Sequence, residues 1–182
     1  AHDFIVFNAQ GNDNYLKTEG IRAAGRLGLE AVRETLEGFL AQSYNEKKTR
    51  VKKGKKYNEV MTDTWKTNFH AVPAAVALFG MGDKTAGKAI DYWIGFEERG
   101  GTPEFVWPQG FAELAKEANW VHPKKRAALA KKLAKAFGEG LKHLKKNPSL
   151  ANDMRAIAMA LAQMGDKKAL DHITTVLKGA DN

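Results

Sequence analysis

The segment Val76-Ala77-Leu78-Phe79-Gly80-Met81-Gly82-Asp83-Lys84-Thr85-Ala86, continuing to Trp93, recurs without a gap 83 positions later as Met159–Val176. Eight of the 18 paired positions are identical: Ala77/Ala160, Leu78/Leu161, Met81/Met164, Gly82/Gly165, Asp83/Asp166, Lys84/Lys167, Ala86/Ala169 and Ile90/Ile173. In each copy an apolar run at helical spacing stops at a glycine, which can take the positive φ that ends a helix. The aspartate that follows is placed to accept from the first free N–H groups of a second helix. A weaker copy starts at Ile21 and turns at Gly28, with Leu29 where the other two have aspartate. A lone helical hairpin cannot hide both of its apolar faces, so such units must stack on neighbours.

Composition agrees with close-packed helices. The 182 residues are 43% hydrophobic, enough for one domain spanning 1–182. Ala (27) and Leu (15) far outnumber Val (9) and Ile (6), a balance that favours helices over strands. Working outward from the repeat, helical spacing predicts a pair of helices between Leu16 and Leu40. Further helices are expected from Pro73, from Asp83 to a stop at Gly100-Gly101, over roughly 111–118, from Pro123 to about Leu144, through Met154–Ala162, and through Ala169–Leu177. Residues 1–15 read as an extended arm followed by a loop, and 101–110 as a loop. Residues 43–68 break the pattern. They form a basic insertion outside the core, either a small hairpin with Gly54 in its turn or a mobile loop.

The chain resembles the HEAT-like helical repeats. Ala77-Leu78-Phe79-Gly80-Met81-Gly82-Asp83 with Ala86 and Ile90, and Ala160-Leu161-Ala162-Gln163-Met164-Gly165-Asp166 with Ala169 and Ile173, carry the likeness over about a third of the chain. It implies an all-α fold, a short array of antiparallel helical hairpins, and a role as a binding scaffold; it transfers no catalytic residue. Copies lie 54 and 83 residues apart, so insertions must separate them. The competing architecture is an irregular α-bundle that contains two similar hairpins.

Charge is unevenly placed. The net +8 divides into +5 over Glu46–Glu59 and +8 over Pro123–Lys146, leaving −5 for everything else. The first basic segment holds Lys47, Lys48, Arg50, Lys52, Lys53, Lys55 and Lys56, flanked by Tyr44 and Tyr57. Positive charge beside stackable rings suits an anionic polymer, single-stranded nucleic acid among them. The second is a lysine-rich helix whose charges read first as a solvated face, because lysine stems cover apolar surface and phosphate recognition favours arginine.

Catalytic signatures are absent. With no Cys there is no thiolate metal site or cysteine nucleophile. The two serines, Ser43 and Ser149, lie outside any GxSxG, and the five histidines lack metal-ligand spacing. No phosphate-binding glycine motif follows a strand. No apolar run approaches the roughly 20 residues of a membrane span. Carboxylates are plentiful, Asp63, Asp91, Glu97, Glu98, Glu104 and Glu113 among them, and leave a minor enzymatic reading open, although Glu97-Glu98 before Arg99 most simply ends a helix. The chain starts Ala-His-Asp, which fits removal of a leader or of an initiator Met; export is the favoured of the two. No catalytic residue, metal or cofactor is assigned. Expected instead is a non-enzymatic scaffold that contacts a protein through Trp65, Phe69, Phe105, Trp107 and Trp120, aromatic residues in or near connections. The alternative is nucleic-acid or other anionic-polymer binding through 47–56 and 123–146.

Overall fold

A computed structural model describes residues 1–53, 56–99 and 102–165. Aspartate 166, the last predicted helix and the second half of the second repeat copy lie outside the described residues. Eight α-helices dominate what is described, joined by two small antiparallel sheets. None of these helices is long and apolar enough to cross a membrane.

The first departure from expectation is at the N-terminus. Residues His2–Gln10 form helix α1 rather than an extended arm, and α1 packs on α2 (Asn14–Leu27). The apolar run Phe4–Phe7 reads equally as strand or as one helical turn, and the contact with α2 decides it. Gly20 makes that contact possible: a Cβ there would lie 2.5 Å from the backbone nitrogen of Ala9. Asp13 caps α2 by accepting from Leu16 N at 2.9 Å. Gly28 (φ 66°) ends it, and a single 3-10 turn at Glu30–Val32 leads into α3 (Arg33–Ser43).

Helix α4 (Ala71–Gly80) is the centre. Every residue from Ala71 to Leu78 is buried, and the helix touches α2, α3, α5, α6 and α7. Asn68 caps it, its side-chain oxygen accepting from His70 N and Ala71 N at 3.1 and 2.7 Å. Gly82 (φ 89°) makes the predicted turn, and Asp83 accepts from Ala86 N at 2.7 Å to start α5 (Lys84–Trp93). Gly165 has the same left-handed backbone (φ 77°) after α8. The three described glycines at positive φ are thus the three turning glycines read from the repeat.

Helices α6 (Gly110–Glu117), α7 (Pro123–His143) and α8 (Leu150–Gln163) complete the core. Leu129, Leu133 and Phe137 on the α7 stripe are fully buried, and α8 covers both α6 and α7. Between α2 and α6 lies a buried ion pair. The Arg22 Nε donates to both oxygens of Glu117 at 3.1 and 3.0 Å, its second amino group also reaches Glu117, and Glu19 accepts at 2.6 Å. Glu117 is only 2% exposed, so the guanidinium that matches its two oxygens is what makes its burial tolerable.

An all-α fold needs one correction. Strands β1 (Tyr44–Lys53) and β2 (Lys56–Trp65) form an antiparallel ribbon in unbroken ten-residue register, so the basic insertion is the hairpin alternative rather than a mobile loop. Gly54, its expected turn residue, is outside the described residues. A second hairpin replaces two expectations: β3 (Phe96–Arg99) stands where the helix after Asp83 was to continue, since α5 stops at Trp93, and β4 (Thr102–Phe105) stands where a loop was expected. Its core-facing pair, Phe96 and Phe105, stack at 4.1 Å between ring centres.

Two outcomes follow. A methyl group at Gly25 would lie 2.5 Å from the Cβ of Ala77, whereas one at Gly38 meets nothing. Denaturant titration of Gly25→Ala should therefore show a loss of about 1–3 kcal/mol from overpacking, while Gly38→Ala gains about 0.5–1 kcal/mol from helix propensity. His70 sits between Phe39 and Phe69; burial, and then the charge of Lys17, lower its pKa below the ordinary value of 6.5. The unfolded chain protonates first, so the contribution of neutral His70 is present above about pH 6.5 and is lost as pH falls from there to the lower folded value. Thermal melts of His70→Gln should fall less steeply over that window than those of the parent.

Candidate functional site

The five aromatic residues singled out for partner contact do not form one surface. Trp65 is 5% exposed and Phe105 is 1% exposed; both rings belong to the core, where large loop aromatics find burial. Trp120 is half-buried at the end of α6. Phe69 is 69% exposed, and Trp107 is half-buried between two cavities that it helps to line. Of the basic set, Lys47, Lys48 and Lys56 are exposed; Arg50, Lys52 and Lys53 hold positions in β1, and Lys55 is outside the described residues.

Trp93 positions both hairpins. Its indole is fully buried, and its Nε1–H donates to Trp65 O at 2.8 Å, fixing the base of the ribbon. Its own carbonyl accepts from Trp107 N at 3.2 Å, fixing the loop that follows β4. Val106 N donating to Gly95 O (2.9 Å) and Lys66 N donating to Ser43 O (2.8 Å) close the two bases. The Trp107 ring lies edge-on to Trp93 and directly over Gly110, where a Cβ would come within 2.2 Å of the ring. Between the hairpins this leaves a cavity of about 660 Å³, lined by Lys47, Lys66, Tyr92, Glu97 and Trp107 among others. Trp107 and Thr67 are shared with a second cavity of about 410 Å³, which Phe69 and the Arg22–Glu117 pair also line.

The ribbon's register sorts its charges. Residues directly opposite across an antiparallel pair share a face, and faces alternate along each strand. One face therefore takes Glu46, Asp63 and Glu59 together with Lys48, Arg50 and Lys52, and is neutral. The other takes Lys47, Lys53 and Lys56 among Asn and Thr, with no acid. On the neutral face Lys48 pairs with Glu59 at 2.5 Å, and the Tyr44 hydroxyl donates to Asp63 and Glu46 at 3.0 and 3.2 Å. Loss of solvation, then those two carboxylates, push the Tyr44 pKa up to about 12. That face meets a different cavity, about 510 Å³, between Tyr44, Trp65, Glu37 and Asp83.

The basic helix α7 is partly neutralised in place. Lys132 pairs with Asp91 at 2.6 Å and lies over the Phe79 ring, and Lys142 pairs with Glu139 at 2.8 Å. His122 takes the helix-starting role read from the sequence, its Nδ1 accepting from Lys124 N. Among the described residues no group of three or more His, Asp and Glu could hold a metal ion. Sequence reading missed the groove because its members, Lys66, Tyr92 and Glu97, come from segments with no motif; only the ribbon register and the Trp93 contacts unite them.

No family model, curated protein or solved structure matches the chain. Trp93→Phe should lose the bond to Trp65 O and leave a cavity where a wholly buried indole stood, costing about 2–4 kcal/mol. In hydrogen exchange the amide of Lys66 should then lose protection while amides of α7 keep theirs.

Proposed function

We propose that this chain is a non-enzymatic binding module, a short HEAT-like stack of helical pairs that carries a basic ribbon as its contact element for an anionic polymer. The observation that supports this best is the segregation of charge on the ribbon: a ten-residue strand spans roughly 30 Å, and one of its faces has three lysine positions and no acid. Lysines on a two-stranded ribbon also discourage edge-to-edge pairing with another chain. Protection alone does not call for every acid to be kept to one face, whereas a face free of acids suits a phosphate or sulfate polymer. Ion pairs answer Lys132 and Lys142 on α7, through Asp91 and Glu139, and the remaining cations there share their helix with an apolar stripe; the ribbon is favoured for its acid-free face.

Elution from heparin resin in a sodium chloride gradient tests this. Lys47→Glu/Lys53→Glu/Lys56→Glu should abolish retention above physiological salt. Lys131→Glu/Lys135→Glu/Lys145→Glu, which changes net charge equally on α7, should elute near the parent. Equal loss in both variants, or no retention of the parent, overturns the assignment. A second reading, a protein-binding scaffold, draws on α1, where Phe4 and Phe7 are 69% and 72% exposed. It predicts that Phe4→Ser/Phe7→Ser removes a captured protein while leaving heparin retention intact.

A further inference from the structure

We infer that the groove between the two hairpins takes single-stranded nucleic acid, with Trp107 and Phe69 as stacking platforms and Lys47 and Lys66 as backbone contacts. This deepens the anionic-polymer reading and rests on it. The acid-free face of the ribbon bears Lys47, and Lys47 lines the groove, so the cationic face runs directly into the cavity that holds Trp107. Lys66, the residue after β2, adds a second exposed ammonium there. Trp107 and Thr67 carry the path on to the second cavity, where the Phe69 ring stands exposed.

The charges along this path suit a polyanion. Glu117 and Glu113, the acids of the second cavity, are paired with Arg22 and with Lys116 (2.8 Å), and the first cavity has two lysines, Lys47 and Lys66, to its one acid, Glu97. The platform is preorganised. Trp107 is held by its amide on Trp93 O, by its edge on the Trp93 ring and by the bare backbone of Gly110 beneath it, so little side-chain freedom is lost when a base stacks. Every base has a π-face, so rings beside ammonium groups bind strands with little regard to sequence. A duplex keeps its bases stacked inside and presents none to Trp107 or Phe69. The site is therefore selective for unpaired strands, which a charged ribbon alone would not be.

Fluorescence anisotropy with a labelled oligothymidylate and with a duplex of equal length reads the selectivity. The parent should bind the single strand at least tenfold more tightly than the duplex at equal salt. Phe69→Ala, at an exposed position, and Trp107→Ala should each weaken single-strand binding about tenfold while leaving heparin elution unchanged. A 5-iodouracil-substituted strand, irradiated in complex with the parent, should crosslink to Trp107 or Phe69, a readout that does not depend on any variant folding. Equal or tighter duplex binding, crosslinks confined to α7 or to the ribbon tip, or an unchanged single-strand affinity in Phe69→Ala would overturn the groove assignment. With heparin retention intact, those results leave the ribbon reading standing; loss of heparin retention in the parent would remove that reading instead.

Discussion

The structure depends on how closely other helices can approach α4. Its residues Ala71–Leu78 are wholly buried against five helices, and such a helix must present small side chains on nearly every side. The chain supplies them as Ala-Val-Pro-Ala-Ala-Val-Ala-Leu, and its neighbours answer with glycines where backbones come nearest: Gly25 against Ala77, and Gly80 of α4 itself against the backbone of His122. Interiors pack at crystal density, so one added methyl group at such a contact has no space to take up. Bulkier helices α7 and α8, with Leu129, Leu133, Phe137, Met154 and Leu161, close the core further from this axis.

Around that axis the two hairpins are not independent decorations. Trp93, at the end of the helix that follows α4, gives its indole N–H to one hairpin and its carbonyl to the loop after the other. The orientation of ribbon and groove is thus inherited from the α4–α5 turn at Gly82. Buried polar groups elsewhere follow the same economy. Glu117 is matched by Arg22, and Asn147 donates to Pro103 O while accepting from Ser149, tying β4 to the start of α8.

Electrostatics on the ribbon arise from geometry more than from composition. Seven bases and two acids in 14 residues suggest only a positive segment. Strand alternation separates them into a neutral face and a cationic one, because a period of two sends Glu46, Glu59 and Asp63 to the same side. The neutral face is occupied by its own contacts, the Lys48–Glu59 pair and the Tyr44 hydroxyl among them. The cationic face meets Lys66 and the half-buried indole of Trp107, a setting in which charge and stacking reinforce each other.

Much of the helical framework was legible in the chain. The glycines at 28, 82 and 165, the Asp83 cap, Pro123 at the first turn of α7 and the leucine stripe behind it are local features, and local backbone chemistry sets them. The basic insertion was legible as a hairpin with its loop alternative still open. Residues 1–15 were misread because Phe4–Phe7 is ambiguous until α2 offers a surface, and β3–β4 because four-residue strands have too short a pattern to stand out, β3 from the end of a helix and β4 from a loop. The aromatic residues show the limit best. Trp65, Phe69, Phe105, Trp107 and Trp120 are equivalent as loop aromatics in the sequence, yet the core takes Trp65 and Phe105 and leaves Phe69 outside. Burial is a property of what stands on the other side of a ring, and that is decided by contacts between residues distant in sequence, such as Trp93 with Trp65. The sequence by itself therefore determined the turns and caps that local backbone chemistry sets, at Gly28, Gly82, Asp83 and Pro123; only the tertiary structure decided which rings and which lysines share a surface, because that depends on contacts between distant segments.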